Sequence, residues 1–334
     1  MATAVAILGA GSWGTALALH LARLEYVVTL WARSESAADA LRSAGEHGSH
    51  PGVAFPPNLR TSSDLAETVR HVDAVLFGCP SHAVRGLAEQ VRPLLTGQPL
   101  LVSTAKGVEQ DTQLTMSAVL EQVVPVELRP RVAVLSGPSF AREVALGMPT
   151  AVTAAARDLE VAGEVQRLFN GPTFRVYTAT DLVGVEIGGA VKNVIAVAAG
   201  LSDGLGFGHN TRAALITRGL AEISRLASQL GAERETLYGL SGLGDLVLTC
   251  TGDLSRNRTV GLRLGRGEQL DDIVASMKEV AEGVRNTRSV RDLAVSAGIE
   301  MPITEQMYLL LYEGKDPRHA VVDLMTRRPK AERD

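Results

Sequence analysis

Apolar positions along the first 180 residues fall into two alternating patterns. Short, nearly unbroken apolar runs at 4–8, 27–31, 74–78, 100–104, 132–135 and 150–153 are bounded by Gly, Pro or Ser, which is how buried strands read. Between them, 14–24, 83–95 and 114–124 repeat their apolar residues at helical spacing. A further short run at 175–178 closes this half. Strands without a polar face, separated by helices, predict an α/β region on a mostly parallel sheet covered on both sides. After residue 180 the strand-like runs stop. Long helical patterns take over at 181–199, 211–230, 284–297, 301–312 and 319–325, with Gly204-Leu-Gly-Phe-Gly208 linking the first two. The pattern predicts two domains, 1–180 and an all-α 181–326, followed by a charged, frayed tail at 327–334. A length of 334 residues suits two cores.

Composition narrows the function by exclusion. Apolar content of 46% and charged content of 21% fit a globular chain. A net charge of −4, spread along the sequence, and 4% aromatics offer neither the basic face nor the stacking platform that a nucleic-acid partner needs. Cys79 and Cys250 lie far apart and match no metal or redox spacing, so reduced thiols and a cytoplasmic location are expected. The first apolar run has no basic leader and is broken by Gly9, Gly11 and Gly14. No stretch reads as the ~18–20 apolar residues that span a bilayer. The longest, 187–201, is interrupted by Lys192 and Asn193. No membrane insertion and no metal are expected. His47 and His50 in a Gly-rich loop make a poor metal pair, and the adjacent Ser81-His82 lacks a third group.

The first chemistry appears at the end of the first predicted strand. Gly9-Ala-Gly11-Ser12-Trp13-Gly14 is Gly-x-Gly-x-x-Gly, directly after a strand and opening a helix. Gly9 permits the tight turn, Gly11 lets backbone approach a pyrophosphate, and Gly14 lets helix pack on strand. The helix N-terminus presents free N–H groups and partial positive charge to the phosphates. This predicts a Rossmann-like, doubly wound, mostly parallel sheet that binds a dinucleotide, with Ser12 and Trp13 where loop meets ligand. Where an NAD enzyme usually carries an acid at the end of the second strand, this chain has Arg33, 19 residues after Gly14. A guanidinium pairs with a 2′-phosphate that a carboxylate would repel, which favours NADP(H). Glu35 close by leaves NAD(H) open, as does a merely solvent-facing Arg33.

The segment 183–200 is apolar almost all round, the mark of a buried helix, yet carries Lys192 and Asn193. Buried polar groups need partners or a purpose. Gly188 and Gly189 precede Lys192 by four and three residues, and the expectation is that they leave open space for another molecule to reach the ammonium. Burial lowers a lysine pKa, which suits an acid–base at a carbinol/carbonyl pair. The alternative is a structural lysine paired with Glu186 or Asp245. Lys106, in Thr104-Ala-Lys106-Gly107, sits at a strand C-terminus, where ligands of open α/β sheets bind. Ser136-Gly137-Pro138-Ser139 can cradle an anion or simply cap a helix. Asp245 stands in an apolar run, so a lysine partner is expected. Ser255-Arg256-Asn257-Arg258 has the chemistry of a phosphate clamp, or of plain polar surface.

Taken in order, Gly9-Ala-Gly-Ser-Trp-Gly14-Thr-Ala, Pro80-Ser81-His82, Lys106-Gly107, Ser136-Gly-Pro-Ser-Phe-Ala141, Gly189-Ala-Val-Lys-Asn193-Val, Gly244-Asp245-Leu, Ser255-Arg-Asn-Arg258, Glu282-Gly-Val-Arg-Asn286-Thr and Met301-Pro-Ile-Thr304-Glu resemble the NAD(P)-dependent glycerol-3-phosphate dehydrogenase family of bacteria and eukaryotes. The match runs from residue 4 to about 326. The resemblance implies that Lys192 exchanges the proton at the substrate's C2 oxygen. It implies that Lys106 and Asp245 bond the substrate and tune that lysine, with Asn193 and Thr249 nearby. Gly137, Ser139, Ser255, Arg256 and Asn257 would hold the phosphorylated substrate. Ser12, Trp13, Arg33, Lys106, Ala141, Arg256, Val280 and Glu282 would contact the cofactor. It further implies a cytoplasmic homodimer that reduces dihydroxyacetone phosphate for glycerophospholipid synthesis. One departure stands out: the family often has aromatic-Leu-Pro-Gly after the second strand, where this chain has Gly48-Ser49-His50-Pro51-Gly52, so the resemblance implies no cofactor contact from that loop. A related β-hydroxyacid dehydrogenase with a carboxylate substrate, and a non-catalytic dinucleotide sensor, are the competing readings.

Overall fold

The computed structural model describes residues 3–277, 281–329 and 331–332. Its first half carries one eight-stranded sheet: β1 Ala4–Leu8, β2 Val27–Trp31, β3 Leu59–Ser62, β4 Ala74–Phe77, β5 Leu100–Ser103, β6 Val132–Ser136, β7 Thr150–Ala156 and β8 Phe174–Ala179. The spatial order is β3-β2-β1-β4-β5-β6-β7-β8. All neighbours are parallel except β6 and β7. The inner strands are buried end to end, which the unbroken apolar runs anticipated. β3 was not anticipated. It is four residues of Leu-Arg-Thr-Ser at the sheet edge, with Leu59 and Thr61 buried and Arg60 exposed, too short and too polar to show a pattern.

Helices α1 Ser12–Arg23, α2 Glu35–Ala44, α3 Leu65–Val69, α4 Val84–Val91, α5 Met116–Val123, α6 Ala141–Ala145 and α7 Leu159–Phe169 cover the two faces. One apolar core unites α1, α6 and α7 with one side of the sheet, and a second lies under α4 and α5. Strand order reverses beside β1, which pairs with β2 on one side and β4 on the other. Ligands bind outside the carboxyl ends of strands at such a reversal. Here those ends are Gly9 and Gly78, so close that a Cβ on Gly9 would lie 2.9 Å from the Gly78 carbonyl group. Gly9 also has φ +124°, which a side chain would strain.

The second half is helical: α8 Leu182–Gly204, α9 His209–Gln229, α10 Asp245–Thr251, α11 Arg256–Gly265, α12 Leu270–Ser276, α13 Glu282–Ser296, α14 Pro302–Tyr312 and α15 Pro317–Met325. α8 is its axis, capped by Asp181, whose carboxylate accepts from the Gly184 N–H at 2.8 Å. It runs past the end of the 181–199 pattern, to Gly204. Its 23 residues would suffice by length and composition to cross a membrane, contrary to the expectation that no stretch would, but 94% of its most apolar window is buried in protein. α11 crosses it almost backbone to backbone: a Cβ on Gly200 would lie 2.0 Å from the Arg258 carbonyl oxygen, and one on Gly261 2.0 Å from that of Val197.

Candidate active site

The carboxyl ends of β1, β4 and β5 meet α8, α10 and α11 around a cleft of about 550 Å³. Its walls include Gly11, Ser12, Trp13, Lys106, Ser139, Ala141, Lys192, Asn193, Asp245, Thr249, Ser255, Arg256, Asn257 and Glu282. Fourteen positions singled out from sequence, scattered over 270 residues, thus share one cavity.

At its floor two ammonium groups share one carboxylate. Lys192 Nζ donates to Asp245 Oδ1 at 2.6 Å and to Thr249 Oγ1 at 2.8 Å. Lys106 Nζ donates to Asp245 Oδ2 at 2.7 Å and to the Gly137 carbonyl at 2.9 Å. Asp245 is 1% exposed, so its charge survives only because both oxygens are paired. Burial pushes the Asp245 carboxyl up, but the two ammoniums outweigh it and hold it below the usual carboxylate range. Lys192 moves the other way: burial pulls it down to about 8, Asp245 opposing and the like charge of Lys106 adding to the fall. Of the three N–H bonds on each lysine, two are taken, which leaves each with one donor for a ligand. Glu186, the other carboxylate proposed for Lys192, instead accepts from Ser117 N–H at 2.8 Å and Ser117 Oγ at 2.5 Å.

The open space expected at Gly188 and Gly189 is filled by protein. A Cβ on Gly188 would meet the Ser241 carbonyl oxygen at 2.7 Å, and one on Gly189 the Ser136 Oγ at 2.8 Å, with Lys106 Cγ 3.5 Å away. The glycines admit neighbouring chain segments, and at Gly189 this is what brings Lys106 alongside Lys192. Lys192 meets the cleft beside Ser139 and the Asp245, Leu248 and Thr249 positions of α10.

A residue the sequence reading gave no role holds Lys106 in place. Asn286, 1% exposed on α13, donates from Nδ2 to the Lys106 carbonyl at 2.8 Å. Its sequence signals were an amide inside the apolar face of a helix and its place in Glu282-Gly-Val-Arg-Asn286-Thr, to which no role was attached. Asn193 donates to the same carbonyl at 3.4 Å and accepts from Asn257 Nδ2 at 2.8 Å, while Asn257 Oδ1 accepts from Gly283 N–H at 2.9 Å. Asn257 therefore ties α11 to both α8 and α13 at the cleft wall. Ser255 caps α11, its Oγ accepting from Arg258 N–H at 3.2 Å. Exposed Arg256 opens that helix at the cleft, whereas Arg258 turns away to Asp203, with Nε 2.9 Å from Oδ2. Glu282 accepts from Ser81 N–H at 2.9 Å, and burial pushes its carboxyl up against the effect of that bond.

The α1 turn fits a dinucleotide. Gly11 caps the helix without a side-chain bond, the first turn has no acid, and a Cβ on Gly11 would meet nothing within 4 Å. Free N–H groups and room for phosphate oxygens thus coincide. Gly14 is closed instead, since its Cβ would sit 1.9 Å from the Gly9 carbonyl oxygen. Exposed Arg33 lies just past the end of β2 and outside the cleft wall. Gly137 also stays off the wall and contributes its carbonyl to Lys106. Val280 falls outside the described residues. The wall adds Ser49, Phe140, Arg142, Leu248 and Leu254, which sequence reasoning missed because their neighbours carried the motifs.

The sequence profile for the N-terminus of NAD-dependent glycerol-3-phosphate dehydrogenase matches residues 4–162, and that for its C-terminus matches residues 181–322. The chain belongs to this dehydrogenase family. Glycerol-3-phosphate dehydrogenase [NAD(P)+] of Geobacter sulfurreducens is 54% identical over 334 residues, covering 100% of both chains. The enzyme of that name from Anaeromyxobacter dehalogenans is 55% identical over 328 residues, 98% of each. The crystal structure of glycerol-3-phosphate dehydrogenase from Coxiella burnetii superposes with a TM-score of 0.93 at 42% identity, over 98% of this chain and 99% of that one. As a glycerol-3-phosphate dehydrogenase family member the chain is an NAD(P)-dependent oxidoreductase, and the carboxylate-substrate alternative is not favoured.

Proposed function

We propose that the chain reduces dihydroxyacetone phosphate to sn-glycerol 3-phosphate, reversibly, as a cytoplasmic homodimer that supplies glycerophospholipid synthesis. The observation that carries this reading is the pair of lysines on Asp245, set in the same cleft as the dinucleotide turn and the start of α11. When bound, the reduced nicotinamide supplies the hydride. Lys192 gives a proton to the C2 oxygen as negative charge develops there, and takes it back in the reverse direction. Lys106 turns its remaining N–H toward the same substrate. Asp245 keeps the two ammoniums together and so fixes the direction of each free donor.

The phosphate sits at the N-terminus of α11, beside Arg256. Ser139 lines the opposite wall, its Oγ donating to the Gly137 carbonyl at 2.9 Å. Gly11, Ser12 and Trp13 hold the pyrophosphate, with Ala141 and Glu282 beside the nicotinamide end. Arg33 favours NADPH over NADH by meeting a 2′-phosphate at the end of β2. Glu35, exposed close by, contacts Ser63 Oγ and lies 3.8 Å from Arg42, and it keeps NADH as an alternative.

The test is absorbance at the nicotinamide band with dihydroxyacetone phosphate, run separately with NADPH and NADH. Oxidation of the cofactor by dihydroxyacetone phosphate and not by small 2-keto or 3-keto acids is expected. Turnover of the keto acids alone would refute it.

A further inference from the structure

The loop after α2 folds back over the start of α1 and brings His50 onto the dinucleotide turn. His50 is 1% exposed. Its own N–H donates to the His47 carbonyl at 2.7 Å, and its carbonyl accepts from Val53 N–H at 3.2 Å, so the backbone holds it on both sides. Its ring Nε2 lies 2.7 Å from the Ser12 carbonyl oxygen and 3.4 Å from Ser12 Oγ. A carbonyl oxygen only accepts, so Nε2 carries the hydrogen and donates. Nδ1 is buried with no partner among the described residues. The ring is therefore held for one bond.

That bond has a consequence on the far side of the peptide. The Ser12 carbonyl and the Trp13 N–H share one rigid plane and point in opposite directions. Trp13 lies in the first turn of α1, whose N–H groups have no carbonyl within the helix to bond. Ser12 is the first residue of α1, so its oxygen also serves the helix's own ladder; His50 adds a second donor there and steadies the direction of the Trp13 N–H, one of the donors a pyrophosphate meets. Ser49, the preceding residue, lines the cleft itself.

We propose that His50 is a positioning residue that sets the dinucleotide affinity of this chain by clamping the glycine turn through the Ser12 carbonyl. The inference rests on the dehydrogenase reading above. It is tested by titrating NADPH against tryptophan fluorescence, with steady-state kinetics alongside, for His50→Leu, His50→Asn and His50→Gln. Leucine keeps the packing and loses the donor. Asparagine keeps an amide that stops short of Ser12, and glutamine carries the amide to about the place of Nε2.

The leucine and asparagine variants are expected to bind NADPH about five- to tenfold more weakly, with KM raised to match and kcat unchanged, as loss of one hydrogen bond implies. Glutamine restores most of the affinity. The asparagine–glutamine pair decides the matter if leucine does not fold. Wild-type affinity in both the leucine and asparagine variants, or equal weakening by glutamine and asparagine, overturns the clamp. A fall in kcat without a change in affinity does so too. Failure of the wild-type protein to bind either dinucleotide would overturn the function itself, and is told apart because no variant is needed to see it.

Discussion

Lys192 is the residue on which the chemistry turns, and its surroundings set the pH at which it works. Burial pulls its ammonium down to about 8. Reduction of the ketone needs the protonated form, so kcat/KM in that direction is expected to fall as pH rises through about 8. Oxidation of the alcohol needs the free amine, and its kcat/KM should rise over the same window. Profiles measured in both directions check the assignment, and two curves that fall together would contradict it. Lys192→Ala removes the proton donor while Lys106 still neutralises one oxygen of Asp245, so the fold and NADPH binding persist and turnover drops about 10²–10⁴-fold. Arg256 acts on a different part of the substrate. Arg256→Ala should raise KM for dihydroxyacetone phosphate much more than for dihydroxyacetone, because only the former offers a phosphate to the start of α11. Equal effects on the two ketones would remove Arg256 from the clamp.

Elements differ in how much of them the sequence disclosed. The inner strands and α8 were legible because burial on all sides leaves an unmistakable apolar run. β3 was not, since an edge strand four residues long is stabilised by its pairing with β2 and needs no apolar face. α10 and α11 were not read as helices: Asp245 was placed in an apolar run, and Ser255-Arg256-Asn257-Arg258 in a short polar stretch. α10 is too short, at seven residues, to show a helical period, and α11 opens on the polar residues given to the site, so packing on α8 decides both helices. The site motifs were legible, but the glycines beside Lys192 were misread: sequence shows that a side chain is missing and not what enters its place. The same ambiguity at the α8–α11 crossing gives a prediction. A methyl group on Gly261 cannot coexist with the Val197 carbonyl oxygen 2.0 Å away, and both partners are helix backbone. Gly261→Ala should cost about 3 kcal/mol by overpacking, read from urea denaturation. It should also raise KM for the phosphorylated substrate, because displacing α11 moves Arg256. A stable variant with unchanged KM would mean that the crossing has slack.

The whole molecule is held across the cleft by the groups that line it. Lys106 on the sheet side bonds Asp245 on α10, Asn286 on α13 bonds the Lys106 carbonyl, and Glu282 bonds the Ser81 N–H beyond β4. Apolar contact joins the two sides as well, where Val134 and Ala155 of the sheet pack on Leu182 and Val185 of α8. One oxygen of buried Asp245 is paired from across the cleft by Lys106, so separating the halves would leave Asp245 with Lys192 alone, and neither half should melt far ahead of the other. A dinucleotide bound at the α1 turn stabilises whatever unfolds together with that turn, by about 2.7 kcal/mol at a hundredfold excess over Kd. NADPH is therefore expected to raise the midpoint of one cooperative transition, followed equally by the far-UV signal, dominated by the helical half, and by Trp13 and Trp31 in the sheet half. If the fluorescence transition moves with NADPH while the far-UV transition stays where it was, the halves unfold separately, and the ties through Lys106, Asn286 and Glu282 serve the site without securing the fold.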